Sequence, residues 1–192
     1  MRWRVRKSRS RRALGALLLG LVAWLGCGAP EAGSDAAPRA PSEALASAGA
    51  ARESARVAIA GRVFELEVAL DPVARMRGLS GRSEIPDYGG MLFVLPQPQP
   101  FYLVMRDCPV PIGAAFLDSE GGVLAVAEMA VEPPRGSAES ARAYEARLPR
   151  YGVPEGARMA VELKGGRLRE LGLAAGARVV IADLEDLLRR AK

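Results

Sequence analysis

The chain has 192 residues, a formal net charge of +5 and only 5% aromatic residues. Seven of its 27 basic residues lie within the first twelve positions, and the remaining 20 face 22 acidic residues, which leaves a net charge of −2. With no basic domain beyond its start and few rings on which bases could stack, the chain is not expected to bind nucleic acid.

Residues 1–27 have the pattern of an export signal. A basic stretch precedes the apolar run Ala13–Gly26, which is shorter than the roughly 20 residues that span a bilayer and ends at Cys27. Trp24–Cys27 resembles the lipobox of bacterial lipoproteins, in which the cysteine carries the lipid. We therefore predict an envelope lipoprotein on the periplasmic or outer-surface side, with the bilayer as its partner. An ordinary cleaved signal is the alternative. Ser10–Leu14 resembles a twin-arginine export motif, but arginine is so common in this segment that the general export route stays open as well.

The next segment, residues 28–55, is predicted to be a flexible tether. It consists mainly of Ala, Pro, Ser, Gly and Glu and has almost no large apolar side chain that could offset the entropy cost of ordering. Residues 56–192 are sufficient for one hydrophobic core. We expect a single β-rich domain there.

The domain is predicted to open with a β-hairpin. The segment Arg56–Ile59 is followed by a turn at Ala60 and Gly61 and then by Arg62–Leu70. Apolar residues occupy alternate positions in the second segment, as expected for a strand with one buried face.

A short helix and a buried strand are expected next. Asp71 is placed to cap a helix over Pro72–Arg77, and Gly78 is placed to end it. The apolar run Met91–Leu95 is typical of a strand buried on both faces. The proline-rich segment Pro96–Pro100 is expected to end that strand because proline cannot donate to a β-ladder.

The rest of the domain is predicted to contain further strands, a long irregular loop over Glu132–Gly156 and short helical segments at Arg167–Leu171 and Asp183–Lys192. The further strand candidates are Phe101–Met105, Ala114–Leu117, Val123–Met129, Arg158–Leu163 and Arg178–Ile181. The pattern favours an all-β dominated fold, a β-sandwich or barrel-like meander with one or two short helices.

Five short blocks of sequence resemble the family called domain of unknown function 192. They are Arg75–Leu79, Gly90–Val94, Phe101–Asp107, Phe116–Asp118 and Gly176–Val179. The resemblance extends over about residues 63–181. It implies a compact β-rich fold that is frequently exported behind a signal or lipoprotein anchor, and it brings no established reaction. The family's central block usually reads tryptophan, methionine, lysine, asparagine. This chain keeps the methionine as Met105 and has Arg106 in place of the lysine and Asp107 in place of the asparagine.

The absence of histidine limits the possible chemistry. It excludes Ser-His-Asp and Cys-His catalysis and removes the commonest ligand of zinc and copper. We therefore predict no metal and no cofactor, and interpret Asp118–Gly122 as a hairpin turn rather than a calcium loop. Cys108 is the one cysteine outside the signal segment, and we expect it to be a buried apolar residue rather than a reactive thiol.

The candidate ligand-binding residues are Phe101, Tyr102, Met105, Arg106 and Asp107. Adjacent residues of a strand point to opposite faces, so Arg106 and Asp107 are not expected to pair with each other. If Arg106 binds a carboxylate such as Glu67 or Glu128, its role is structural. If it lies beside the two aromatic rings at an open end of the sheet, it can hold a small polar or glycan ligand.

Two functions follow from these residues. The first is a membrane-tethered accessory or ligand-binding domain without catalysis. The alternative is an envelope hydrolase that acts on glycans or similar substrates through two carboxylates, with Asp71, Asp107, Asp118 and Glu128 as candidates. The sequence assigns no catalytic residue and no oligomeric state.

Overall fold

The computed structural model describes residues 53–192. The predicted export signal, the lipidation of Cys27 and the tether up to residue 52 lie outside the described residues. Within the described part, a curled seven-stranded sheet carries four short helices. The predicted all-β dominated fold is thereby confirmed, with four helices in place of one or two.

The strands and helices follow one another in this order: β1 (Ser54–Ile59), β2 (Arg62–Ala69), α1 (Pro72–Arg77), β3 (Met91–Leu103), β4 (Ile112–Leu117), β5 (Val123–Met129), α2 (Ala141–Arg147), β6 (Tyr151–Lys164), α3 (Arg167–Glu170), β7 (Val180–Ile181) and α4 (Leu184–Arg190). None of the helices in residues 53–192 has the length and apolar character needed to cross a bilayer.

The strand order in the sheet is β5-β4-β6-β3-β2-β1-β7. The neighbours are antiparallel except for β2 and β3, which run parallel. An isolated bridge between Gly122 and Arg178 joins the start of β5 to the segment before β7. The two outer strands of the sheet therefore approach each other, which gives the sheet its curl.

The first hairpin and the first helix form as the sequence predicts. Strands β1 and β2 pair on either side of Ala60 and Gly61. The side chain of Asp71 accepts a hydrogen bond of 2.9 Å from the amide of Ala74, and Pro72 occupies the first turn of α1. Gly78 ends the helix with a φ of 50°, a conformation that favours glycine.

The prediction that the proline-rich segment ends a strand is wrong. Strand β3 continues through it to Leu103, with irregular register between Val94 and Phe101. Pro96, Pro98 and Pro100 have no register partner in β6, which pairs in this stretch only with Gln99, and β2 pairs only with the first residues of β3. The missing amide hydrogens of the prolines therefore interrupt no paired position, and the strand can continue through them.

The region predicted as a long loop also contains regular structure. It includes α2, and β6 begins at Tyr151 rather than near Arg158. The early part of β6 pairs with the end of β3, and a Cβ at Gly152 would lie 2.0 Å from the carbonyl oxygen of Phe101. Gly152 therefore has to be a glycine, because the paired backbones of β3 and β6 leave no room for a Cβ there.

The sheet buries apolar residues on both faces. The first core contains Phe64, Leu66, Leu92, Val94, Met159, Val161 and Leu163, and the second core contains Met91, Phe93, Met105, Phe116, Met129 and Ala160. Residues of β3 contribute to the two cores alternately, which confirms that this strand is buried on both faces. Since β6 alternates in the same way, Glu162 lies on the side of the second core.

Candidate functional site

A cavity of about 310 Å³ lies between α1, the turn that follows it, and the second half of β3. This volume is at the lower end of the roughly 300 to 1,000 Å³ that is typical of small-molecule sites. The lining is mainly apolar with a few polar groups. It includes Arg75, Met76, Arg77, Leu79, Ser80, Phe93, Leu95, Phe101, Tyr102, Leu103, Arg106, Cys108 and Glu162.

Glu162 is the polar residue most deeply set in this lining. It lies in the middle of β6, between the register partners Met91 on β3 and Ala114 on β4, and it is only 5% exposed. No side chain or backbone group among residues 53–192 forms a hydrogen bond or ion pair with its carboxyl group. Burial raises the pKa of this carboxyl to about 8, so the group is protonated at neutral pH.

The thiol of Cys108 lies beside Glu162 in the lining and is buried, as the sequence predicts. Its Sγ is 3.4 Å from the carbonyl oxygen of Arg106, which also accepts a 2.8 Å hydrogen bond from the hydroxyl of Ser80. Burial, together with the nearby carboxyl of Glu162, raises the thiol pKa to about 11. A thiol that stays protonated at neutral pH is a poor nucleophile.

Arg106 forms an ion pair with Glu145, which lies in the last turn of α2. Its Nε and Nη2 donate to the two carboxylate oxygens, the second of them at 2.7 Å. These hydrogen bonds lower the pKa of Glu145. The two partners considered from the sequence are used elsewhere, since Glu67 binds Arg82 and Glu128 accepts a hydrogen bond from a backbone amide. The positive charge of Arg106 is thus largely balanced at the cavity.

Asp107 lies in the turn after β3, not in a strand. Because β3 ends at Leu103, the expectation that Arg106 and Asp107 point to opposite faces of a strand is wrong. Asp107 has a φ of 52°, and the hydroxyl of Tyr144 accepts a hydrogen bond from its amide at 3.0 Å and donates one to its Oδ1 at 3.1 Å. Tyr144 on α2 therefore holds this turn against the rest of the domain.

The five candidate ligand-binding residues have different positions. Phe101, Tyr102 and Arg106 line the cavity. Met105 is only 1% exposed and belongs to the second core. Asp107 borders a shallower depression on the outer side of α1.

Two further arginines line the cavity from α1. The guanidinium of Arg75 donates to the backbone oxygens of Leu70 at 2.7 Å, Val94 at 2.9 Å and Lys192 at 2.5 Å, so this side chain fastens α1 to the sheet. Arg77 is exposed, and no acidic side chain within residues 53–192 forms an ion pair with it. Arg77 is therefore available to a negatively charged group at the mouth of the cavity.

The carboxylates considered for hydrolysis do not converge. Asp71 caps α1, and Oδ1 of Asp118 accepts hydrogen bonds of 2.8 Å from two amides of the β4–β5 turn. Glu128 lies at the opposite end of that hairpin, and Asp107 is bound by Tyr144. None of the four lines the cavity.

Glu162 is not among the residues predicted from the sequence, because Arg158–Leu163 was predicted only as a strand. The available signal was a single acidic residue between Val161 and Leu163, on the same side of the strand as Ala160. A carboxyl group at a position that alternation assigns to the core requires an explanation.

The sequence matches the DUF192 family, described as an uncharacterised ACR, over residues 55–181. No curated protein matches the chain significantly. A crystal structure from Sinorhizobium meliloti 1021, of a protein described as a candidate transcription regulator, is similar with 24% identity and a TM-score of 0.56, over 68% of this chain and 95% of that one. A protein of unknown function from Novosphingobium aromaticivorans DSM 12444 is similar with 22% identity and a TM-score of 0.52, over 66% of this chain and 83% of that one. At these identities, the likeness concerns the fold alone.

Proposed function

The chain belongs to the DUF192 family, and because that family is described as uncharacterised, we propose a function from the cavity itself. The protein is a ligand-binding domain of the bacterial envelope that takes up a small molecule between α1 and the end of β3. Its N-terminal segment tethers the domain to the membrane through a lipid on Cys27.

The observation that carries the proposal is the buried carboxyl group of Glu162. Nearly all buried polar groups in proteins are paired, because an unpaired one costs roughly 1 to 3 kcal/mol when it is fully enclosed. The carboxyl oxygens of Glu162 have no partner among the described residues but are not fully enclosed, so they can be reached from the cavity. Glu162 lies against a cavity wide enough to bring a partner to it. A ligand that hydrogen-bonds to this carboxyl recovers the cost, and the apolar walls bind the rest of the molecule.

The hydrolase alternative has weaker support. Hydrolysis of a glycosidic bond by carboxylates needs two acidic side chains roughly 5 to 9.5 Å apart across the substrate. Among the described residues that line the cavity, Glu162 carries the single carboxyl group. Binding without two-carboxylate hydrolysis is therefore the better-supported function.

Filling the cavity is expected to weaken binding of a small aromatic dye. Ser80 lines the cavity and is half-buried, so the ring introduced by Ser80→Phe occupies the space, whereas Ser83 is exposed and outside the lining. We expect the purified full chain to bind 1-anilinonaphthalene-8-sulfonate with one-to-one stoichiometry by calorimetry. Ser83→Phe should retain this binding, and Ser80→Phe should weaken it at least about tenfold. Equal affinity in both variants, with both folded by circular dichroism, would refute the cavity as the site.

The Cys27→Ala variant is expected to move the protein from the membrane fraction to the soluble fraction. Without the cysteine there is no thiol to carry the lipid. Fractionation followed by immunoblotting measures the change, and Cys108→Ala is the control, because the thiol of Cys108 is buried in the domain. A Cys27→Ala variant that stays with the membrane would show that lipid on Cys27 is not the anchor.

A further inference from the structure

We propose that the cavity selects small amphiphilic acids: the acidic group lies at Arg77, the apolar body lies along Phe93 and Phe101, and a hydrogen-bond acceptor at the far end binds the protonated carboxyl of Glu162. This inference rests on the proposed function and names the class of ligand. It follows from three parts of the lining: the floor at Glu162, the apolar walls at Phe93 and Phe101, and the mouth at Arg77.

The floor offers a hydrogen-bond donor. The side chain of Glu162 is almost fully buried, and no cation of the described residues is paired with it, so its neutral form is the stable one. A protonated carboxyl donates one hydrogen bond through its O–H. The best complement is an uncharged acceptor such as a carbonyl or ether oxygen, because a second negative charge at this depth would be repelled whenever Glu162 ionises.

The walls are apolar and aromatic. The rings of Phe93 and Phe101 lie 6.2 Å apart at 65°, and Phe101 contacts Phe116 at 5.9 Å in an edge-to-face arrangement. Leu79 and Leu103 add to the same wall. These packed rings form a fixed surface that suits an unbranched or flat apolar body, which gains by leaving water.

The mouth is positively charged. Arg77 is exposed with no ion-pair partner among the described acids, whereas Arg106 is balanced by Glu145. Arg75 donates to the backbone oxygens of Leu70, Val94 and Lys192. The carboxylate of Asp71 lies near Arg75 and Arg77 but forms no ion pair with either. Its pKa is lowered chiefly by the hydrogen bond from the amide of Ala74, and both arginines contribute to lowering it. The guanidinium carbon of Arg150 lies 4.6 Å from the centre of the Tyr102 ring, which brings a further cation close to this lining residue. An acid is attracted to this rim and a cation is repelled by it.

Few charged or titratable groups face Glu162 from the elements around it. Its partners Met91 and Ala114 are uncharged, and Lys164 on the same strand is exposed and paired with Asp87. The remaining groups in the lining are Arg75 and Arg77 from α1, Tyr102 from β3, and Arg106 and Cys108 from the following turn. The thiol, with its pKa of about 11, keeps its proton below pH 10. Glu162 is therefore the group expected to change charge near pH 8.

Calorimetry with matched eight-carbon probes tests the proposal. Octanoate has the acid and the apolar body, 7-oxooctanoate adds a carbonyl oxygen near the far end, octan-2-one lacks the acid, and octylamine replaces the acid with a cation. At pH 6.5 we expect 7-oxooctanoate to bind the purified full chain about threefold to tenfold more tightly than octanoate, the gain of one hydrogen bond. At pH 9.5 this ratio should fall to about one, because ionised Glu162 no longer donates.

Three variants separate the contributions of floor and mouth. Glu162→Leu should remove the preference for 7-oxooctanoate at both pH values, and Glu162→Gln, whose amide still donates, should keep it at both. Arg77→Gln should weaken both acids by about threefold to tenfold and leave octan-2-one unchanged. Arg62→Gln, at an exposed position of β2 outside the lining, serves as the control.

The possible failures are distinguishable. If octylamine binds more tightly than octanoate, and its affinity increases with pH, the selection of acids is overturned while the proposed binding function stands. Equal affinity of octanoate and 7-oxooctanoate at pH 6.5 would overturn the role of Glu162 as donor. If no probe binds and Ser80→Phe leaves dye binding unchanged, the proposed function fails together with this inference.

Discussion

Raising the pH from 4.5 to 8 is expected to lower the free energy of unfolding by on the order of 4 kcal/mol through Glu162 alone. Burial raises the pKa of this carboxyl in the folded protein to about 8, against 4.5 for an ordinary glutamate. Between these values the folded protein keeps the proton and the unfolded chain has lost it, so stability falls by about 1.4 kcal/mol per pH unit. Below pH 4.5 and above pH 8 the contribution of Glu162 is constant.

Urea unfolding of the purified chain at half-unit pH intervals measures this slope. Glu162→Gln should remove most of it, because the amide does not titrate. Glu155→Gln, at an exposed position of the same strand, should leave the slope unchanged. The acids with lowered pKa values, among them Glu139 and Glu145, contribute below pH 4.5 and with the opposite sign. A wild-type stability that does not change between pH 5 and 8 would contradict the buried, unpaired state of Glu162.

Gly90→Ala is expected to destabilise the domain by roughly 3 kcal/mol or more. Gly90 immediately precedes β3 and has a φ of 149°, a conformation that side chains rarely adopt. A Cβ there would lie 2.1 Å from the carbonyl oxygen of Glu162 and 2.9 Å from a methyl carbon of Leu163. Since the oxygen belongs to the backbone of β6, the clash can be relieved only if β3 and β6 separate.

Gly61→Ala separates the steric clash from backbone strain. Gly61 has a φ of 77° in the first hairpin turn, and no atom lies within 4 Å of the position that a Cβ would take. We expect this variant to lose only about 1 kcal/mol, the cost of a left-handed backbone conformation. Both values are obtained from urea unfolding at pH 5, and similar losses in the two variants would show that β6 does not press against Gly90.

Local interactions explain what could be predicted from the sequence. The cap by Asp71, the stop at Gly78 and the alternation in β2 depend on residues only a few positions apart. The cap and the stop are confirmed, and the alternation is confirmed for Phe64–Glu67 but not at Ala69, which is buried where an exposed position was expected. The proline-rich part of β3 was predicted wrongly because a proline forbids a strand only when its amide faces a partner. Which side of β3 faces β6 depends on a strand more than fifty residues later in the chain.

The site depends still more on distant parts of the chain. The cavity combines α1, the turn after β3 and the middle of β6, and the carboxylate that binds Arg106 comes from α2, 39 positions away. Phe101, Tyr102 and Arg106 were selected from their local chemistry and line the cavity. The sequence marks Glu162 as an acidic residue at a core position, but its place in the cavity could be recognised only once its neighbours were known, because the same residue at the edge of a sheet would face water.

The prolines of β3 also bear on self-association. An uncovered strand edge with unsatisfied amides can template the addition of a strand from another molecule, which is a common route to aggregation. Pro96, Pro98 and Pro100 remove three amide donors from the part of β3 that lies beyond its pairing with β2. A strand from a second copy of the domain therefore finds fewer amide donors along this part of β3, which disfavours edge-to-edge pairing there.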